Sequence, residues 1–101
     1  VASKIRSDAL PDVPTTAEAK FPGVVSGTWY GIMAPAKTPA DVIAKLNAAL
    51  NKALQNPETI AYFKAQGMQS AGGSSDDFGK FIKAESTKWV TLSKEAGIKL
   101  E

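Results

Sequence analysis

The stretch Val24-Val25-Ser26-Gly27-Thr28-Trp29-Tyr30-Gly31-Ile32-Met33-Ala34-Pro35 constrains this chain more than any other. It is rich in β-branched and aromatic residues, and Pro22-Gly23 and Pro35 bound it, so it reads as a strand over about 24–34. In a strand, Val25, Trp29 and Met33 fall on one side and Val24, Tyr30, Ile32 and Ala34 on the other. A strand with one wet face alternates apolar and polar residues. One that is apolar on both faces demands cover on both, as in an α/β layer structure. Almost everything C-terminal to it reads as helix. A single buried strand is not a sheet, and the missing sheet is the problem the rest of the sequence must answer.

Composition narrows the field. The chain has 101 residues, enough for one domain and not two. Its formal charge of +2 comes from scattered lysines, which argues against a nucleic acid partner. It has no cysteine, hence no disulfide and no thiolate chemistry, and no histidine, the commonest general acid–base and metal-binding residue. No apolar run approaches the roughly 20 residues of a membrane span. Residues 1–10 lack a signal-peptide apolar region. The expectation is a cytosolic chain, or a mature or truncated piece of something exported.

Residues 1–14 contain two prolines and no helical period, and read as an extended lead-in. Thr15-Thr16-Ala17-Glu18 matches a capping box that opens a short helix at 15–19, which Phe21-Pro22-Gly23 stops. Three main helices are expected, at about 39–55, 57–66 and 75–96. Thr38 caps the first, with Pro39 at its first position. Its apolar stripe is Val42, Ile43, Leu46, Ala49, Leu50, Ala53 and Leu54. Asn56 caps the second, and Gly67 ends it in left-handed geometry. Met68–Ala71 reads as a short, weak strand. Ser74 or Ser75 caps the third helix, whose stripe of Phe78, Phe81, Ile82, Trp89, Leu92 and Ala96 is interrupted by Glu85. Gly97 ends it, with Ile98 as the apolar residue that follows.

Little in the chain resembles reactive chemistry. Gly72-Gly73-Ser74-Ser75 lacks the lysine and spacing of a phosphate-cradling loop and reads as a flexible approach to a capped helix. Asp76 and Asp77 point about 100° apart on a helix and compensate its dipole, so they do not form a carboxylate pair. Asp8 and Asp12 have no partner visible in the sequence. Ser26 and Thr28 have no histidine to activate them. The glycines flanking Trp29 and Tyr30 signal a close approach, either of packed chain or of a ligand. No catalytic residue, metal or cofactor is expected.

The order and spacing of several small motifs point further. Arg6-Ser7, Leu10-Pro11-Asp12-Val13-Pro14-Thr15, Glu18, Phe21-Pro22-Gly23, Trp29-Tyr30-Gly31, Ala34-Pro35, Thr38-Pro39, Leu46-Asn47, Gly67, Asp77-Phe78, Glu85, Lys88-Trp89 and Lys94-Glu95-Ala96-Gly97-Ile98 run across essentially the whole chain. Together they resemble the C-terminal third of the Bug/TctC family, the periplasmic solute-binding proteins of tripartite tricarboxylate transporters. One departure stands out: the family usually has Glu-x-Gly where this chain has Glu18-Ala19-Lys20. Lysine there loses glycine's easy left-handed geometry.

The resemblance implies a fragment of a type II periplasmic-binding-protein, or Venus-flytrap, fold. The expected class is α+β and helix-rich, with residues 1–23 as a hinge-side lead-in and 24–101 as strand plus helices of lobe one. It implies a receptor for small carboxylates that works with the transporter's membrane components in the periplasm, is not an enzyme, and does not bind ligand as this fragment alone. Gly27, Thr28 and Trp29 would then lie nearest the cleft. The alternative is an interaction module that uses the strand at 24–34 to form a homodimer by strand pairing or domain swap.

Overall fold

The structure, a computed structural model, describes residues 1–99. Its elements are α1 (Ala40–Leu54), α2 (Pro57–Ala65) and α3 (Ser75–Glu95), each end within one residue of the expected bounds. Asn56 caps α2 by accepting a 2.8 Å hydrogen bond from the Glu58 amide. Ser74, not Ser75, caps α3 by accepting from the Asp77 amide at 3.0 Å. Gly67 and Gly97 close α2 and α3 with φ near +70°. In both closures the following amide bonds back five residues to the helix, Met68 to Phe63 and Ile98 to Ser93. Thr38 does not cap α1: its hydroxyl donates to the Pro35 carbonyl at 2.7 Å, and Pro39 takes the cap position with no side-chain bond.

The principal correction concerns the strand. Among the described residues there is no strand or sheet, either at 24–34 or at 68–71, so the chain is helical rather than α+β. A strand is a ladder of backbone bonds to a neighbour, and the neighbour is missing. At its start the run donates two backbone bonds, from the Val24 amide to the Phe21 carbonyl at 3.1 Å and from the Ser26 amide to the Ala2 carbonyl at 2.8 Å. The Thr16 hydroxyl reaches the Val24 carbonyl at 2.5 Å. From 27 to 34 no backbone–backbone bond is made among the described residues. The period-two pattern survives as side-chain direction only around residues 29–32: Trp29 and Gly31 meet α3 while Tyr30 and Ile32 are exposed, and Met33, on the Trp29 side, is exposed as well.

The expectation of a covered strand fails for the same reason. No hydrophobic side chain among the described residues is buried, and Thr15 is the single buried residue. The half-buried face of α1 is Ile43, Asn47, Leu50, Asn51 and Leu54, which uses only part of its apolar arc.

Residues 15–21 make one closed turn. Thr15 and Glu18 satisfy each other's amides reciprocally, at 2.7 and 3.1 Å. At the other end Phe21 donates to Thr16 at 2.7 Å and Lys20 to Ala17 at 3.0 Å. This closure puts Lys20 at φ +69°, where glycine belongs. A lysine there carries strain of about 1 kcal/mol. Lys20→Gly should therefore slow exchange of the Phe21 amide by about fivefold, the equivalent of that ~1 kcal/mol. Unchanged or faster exchange would show that the lysine is unstrained.

Candidate functional site

Two polar clamps and one aromatic cluster hold the lead-in, the Gly72–Gly73 loop and the 24–34 run. The first clamp holds the lead-in. Arg6 meets Glu18 in a two-pronged pair, Nη2 to Oε1 at 2.7 Å and Nε to Oε2 at 3.0 Å, and its Nη1 donates to the Pro11 carbonyl at 3.0 Å. The capping box fixes Glu18 from the other side, so Arg6, Pro11, Thr15 and Glu18 form one unit. The side chains of Arg6 and Glu18 are about half exposed. The hydrogen bond from Arg6, and next the one from the Thr15 amide, lower the Glu18 pKa from 4.5 to about 2. A shallow, open depression lies beside this unit, lined by Lys4, Ile5, Arg6, Thr15, Ala17 and Glu18. Asp8, for which the sequence shows no partner, pairs with Lys64 at 3.4 Å on the surface.

The aromatic cluster holds the 24–34 run against α3. Trp29 packs edge-on to Phe78 and Phe81, with ring centroids 5.7 and 5.2 Å away. Gly31 lies so close to Phe78 that a β-carbon there would sit 2.2 Å from the ring. Lys88 donates from Nζ to the Val25 carbonyl at 2.7 Å. Glu85 steadies that lysine at 3.7 Å and accepts from the Trp89 indole at 2.9 Å. The Glu85 that interrupts the apolar stripe is thus part of the fastening.

Of the three residues expected near a cleft, only Trp29 is in this cluster. Gly27 and Thr28 are exposed, and nothing lies within 4 Å of where a Gly27 β-carbon would be. The close approach signalled by the flanking glycines occurs at Gly31, and chain packing causes it.

The second clamp is one that sequence reasoning missed. Asn51 accepts from the Gly73 amide at 2.8 Å and donates to the Gly73 carbonyl at 2.9 Å, while Asn47 donates to the same carbonyl at 3.0 Å. Gly72 has φ +134° and would push a β-carbon to 2.6 Å from the Asn51 oxygen. Two amide side chains four residues apart on α1, facing a Gly-Gly loop, were the available signal. Among the described residues no group of histidine, cysteine, aspartate or glutamate side chains is arranged to hold a metal ion.

The family described as tripartite tricarboxylate transporter family receptor matches residues 1–98. The chain belongs to this receptor family. Protein BugT of Bordetella pertussis is 36% identical over 101 residues, which is 100% of this chain and 31% of that protein. A protein encoded in the tcbD-tcbE intergenic region of Pseudomonas sp. strain P51 is 40% identical over 93 residues, 91% of this chain and 28% of the relative. A solved structure described as that of a periplasmic transporter superposes with a TM-score of 0.84 at 39% identity. It matches 99% of this chain with 33% of its own length. This member of the receptor family therefore spans about a third of the length of these three relatives.

The lowered Glu18 pKa sets a pH dependence. A carboxylate with a depressed folded-state pKa stabilises its fold above the ordinary value, and that contribution disappears as pH falls through the depressed one. The Arg6 pairing is therefore complete above pH 4.5 and lost through about pH 2. A carbon NMR titration of the Glu18 carboxyl should show a midpoint at about 2, moving back toward 4.5 in Arg6→Met. A midpoint at 4.5 in the unaltered chain would contradict the clamp.

Proposed function

We propose that this chain supplies the C-terminal third of a periplasmic receptor that captures small carboxylates and delivers them to the membrane components of a tripartite tricarboxylate-type transporter. The observation that carries the reading is the match of 99% of this chain, at a TM-score of 0.84, to one third of a periplasmic transporter. The family description supplies the receptor role and the class of transporter. The reading is of a binder rather than an enzyme: a chain without histidine or cysteine has few routes to acid–base or nucleophilic catalysis.

In this reading residues 1–23 are the hinge-side lead-in, stiffened by the Arg6–Glu18 unit, and residues 24–99 clothe one lobe. Gly27, Thr28 and Trp29 are the residues nearest the cleft. The exposure of Gly27 and Thr28, beside a Trp29 held by Phe78 and Phe81, supports that assignment. The open depression beside Arg6 and Glu18, and a second at Trp89, Val90, Ser93, Lys94 and Ile98, are both unlike the enclosed pockets typical of small-molecule sites, which supports a ligand site shared with other parts of a receptor.

The test is titration with citrate, malate, succinate and glutarate. The isolated chain should show no saturable binding tighter than about 1 mM, which corresponds to only about 4 kcal/mol. Micromolar binding by the isolated chain would overturn the incomplete-site reading. BugT carrying this chain in place of its matching segment should bind at least one of the four acids at micromolar concentration. A chimera that binds none of them would overturn the carboxylate reading.

A further inference from the structure

We propose that Lys88 is a positioning residue of the receptor: it stretches the segment Val25–Trp29 along α3 and so holds Gly27 and Thr28 in the geometry that receives a carboxylate. The proposal rests on the receptor reading above and adds the residue that sets the cleft edge. Lys88 donates from Nζ to the Val25 carbonyl at 2.7 Å. Trp29 is held further along by Phe78 and Phe81, with ring centroids 5.7 and 5.2 Å away. Both anchors therefore belong to one helix. From Lys88 to the two phenylalanines is about 10–15 Å along the helix axis. An extended chain from Val25 to Trp29 covers about 13 Å. The two lengths match, so the segment bridges its anchors in nearly extended form.

The middle of the segment has little else to hold it. Gly27 and Thr28 are exposed, and nothing lies within 4 Å of where a Gly27 β-carbon would be. Neither residue makes a backbone–backbone hydrogen bond among the described residues. Glycine has the widest choice of backbone conformations, so order at Gly27 must come from the ends of the segment. At the far end three aromatic rings fix Trp29. At the near end the Ser26 amide bonds to Ala2 and the Thr16 hydroxyl to Val24, which ties the segment to a lead-in without a helix of its own. Lys88 ties the same end to a helix of 21 residues.

Lys88 is itself aimed. Its side chain is 34% exposed, with the ammonium 3.7 Å from a Glu85 oxygen and 5.0 Å from the centre of the Trp89 ring. Glu85 is fixed in turn by the Trp89 indole at 2.9 Å. Three neighbouring side chains of α3 thus direct one cation at one carbonyl. Lys80 and Lys83, on the same helix, are exposed. What the arrangement presents is two exposed backbone amides and the Thr28 hydroxyl, donors of the kind a carboxylate accepts. Fixing them before a ligand arrives removes the cost of ordering them from the binding step.

The experiment has two arms. In the 101-residue chain, the NMR order parameters of the Gly27 and Thr28 amides should be about 0.85, unbonded though these amides are. In Lys88→Met they should fall to about 0.6 or lower, with those of α1 unchanged. In BugT carrying this chain in place of its matching segment, Lys88→Met should raise the dissociation constant about tenfold for whichever of citrate, malate, succinate and glutarate binds most tightly. Lys88→Arg keeps the charge and a donor and should restore affinity to within about threefold. Lys83→Met removes an exposed charge from the same helix and should change neither readout. Order parameters unchanged in Lys88→Met would overturn the proposal. So would unchanged affinity, or an equal loss with Lys83→Met. A chimera that binds none of the four acids removes the carboxylate reading, and the effect on affinity with it; the order parameters then decide alone whether Lys88 positions Gly27 and Thr28.

Discussion

Lys88 reaches across 63 positions of sequence to the carbonyl of Val25, and the course of the 24–34 run depends on that contact and its neighbours. Without it, nothing polar ties the start of the run to α3. With it, Trp29 falls between Phe78 and Phe81, and Gly31 can slide against the Phe78 ring. The lysine is only partly exposed, with Glu85 beside it and the Trp89 ring 5.0 Å from its Nζ. A charged hydrogen bond of this kind contributes on the order of 1.5–3 kcal/mol when well sheltered; here partial exposure reduces it. The fastening sets position more than it adds stability.

The same economy appears at the two other fastenings. Arg6 and Glu18 hold a proline-rich lead-in that has no helix or sheet of its own. Asn47 and Asn51 hold the Gly72–Gly73 loop that leads into α3. Each is a polar contact on a half-exposed surface, and none is backed by a buried apolar side chain among the described residues. The helices are defined by local signals, their caps and closing glycines, and are arranged by these few long-range bonds. A fold built in this way is well specified in shape and thinly supported in energy.

How much the sequence revealed follows from which interactions are local. Helix ends were legible because Asn56, Ser74, Gly67 and Gly97 act within their own turns. The capping box of Thr15 and Glu18 was legible for the same reason. Thr38 misled because its hydroxyl had a nearby alternative, the Pro35 carbonyl. The 24–34 run misled more deeply: its composition shows what environment it needs, not whether these residues provide it. The exposed half of the α1 stripe looked like core for the same reason. Among candidate site residues, the packing role of Trp29 was foreseeable from the α3 stripe. The Asn51–Gly73 clamp was not, because the Asn47 and Asn51 amides, four residues apart on α1, do not say which loop, 22 positions on, they will hold.

The central claim is that residues 27–34 have no backbone partner among the described residues. Residue-by-residue amide hydrogen exchange of the free chain tests it most directly. Amides from 27 to 34 should exchange within about tenfold of unstructured peptide, the low end of local stability, while the middle turns of α1 and α3 are protected far more strongly. Protection across 27–34 equal to that of the helices would reveal a sheet formed within the chain or between copies, and would contradict the account.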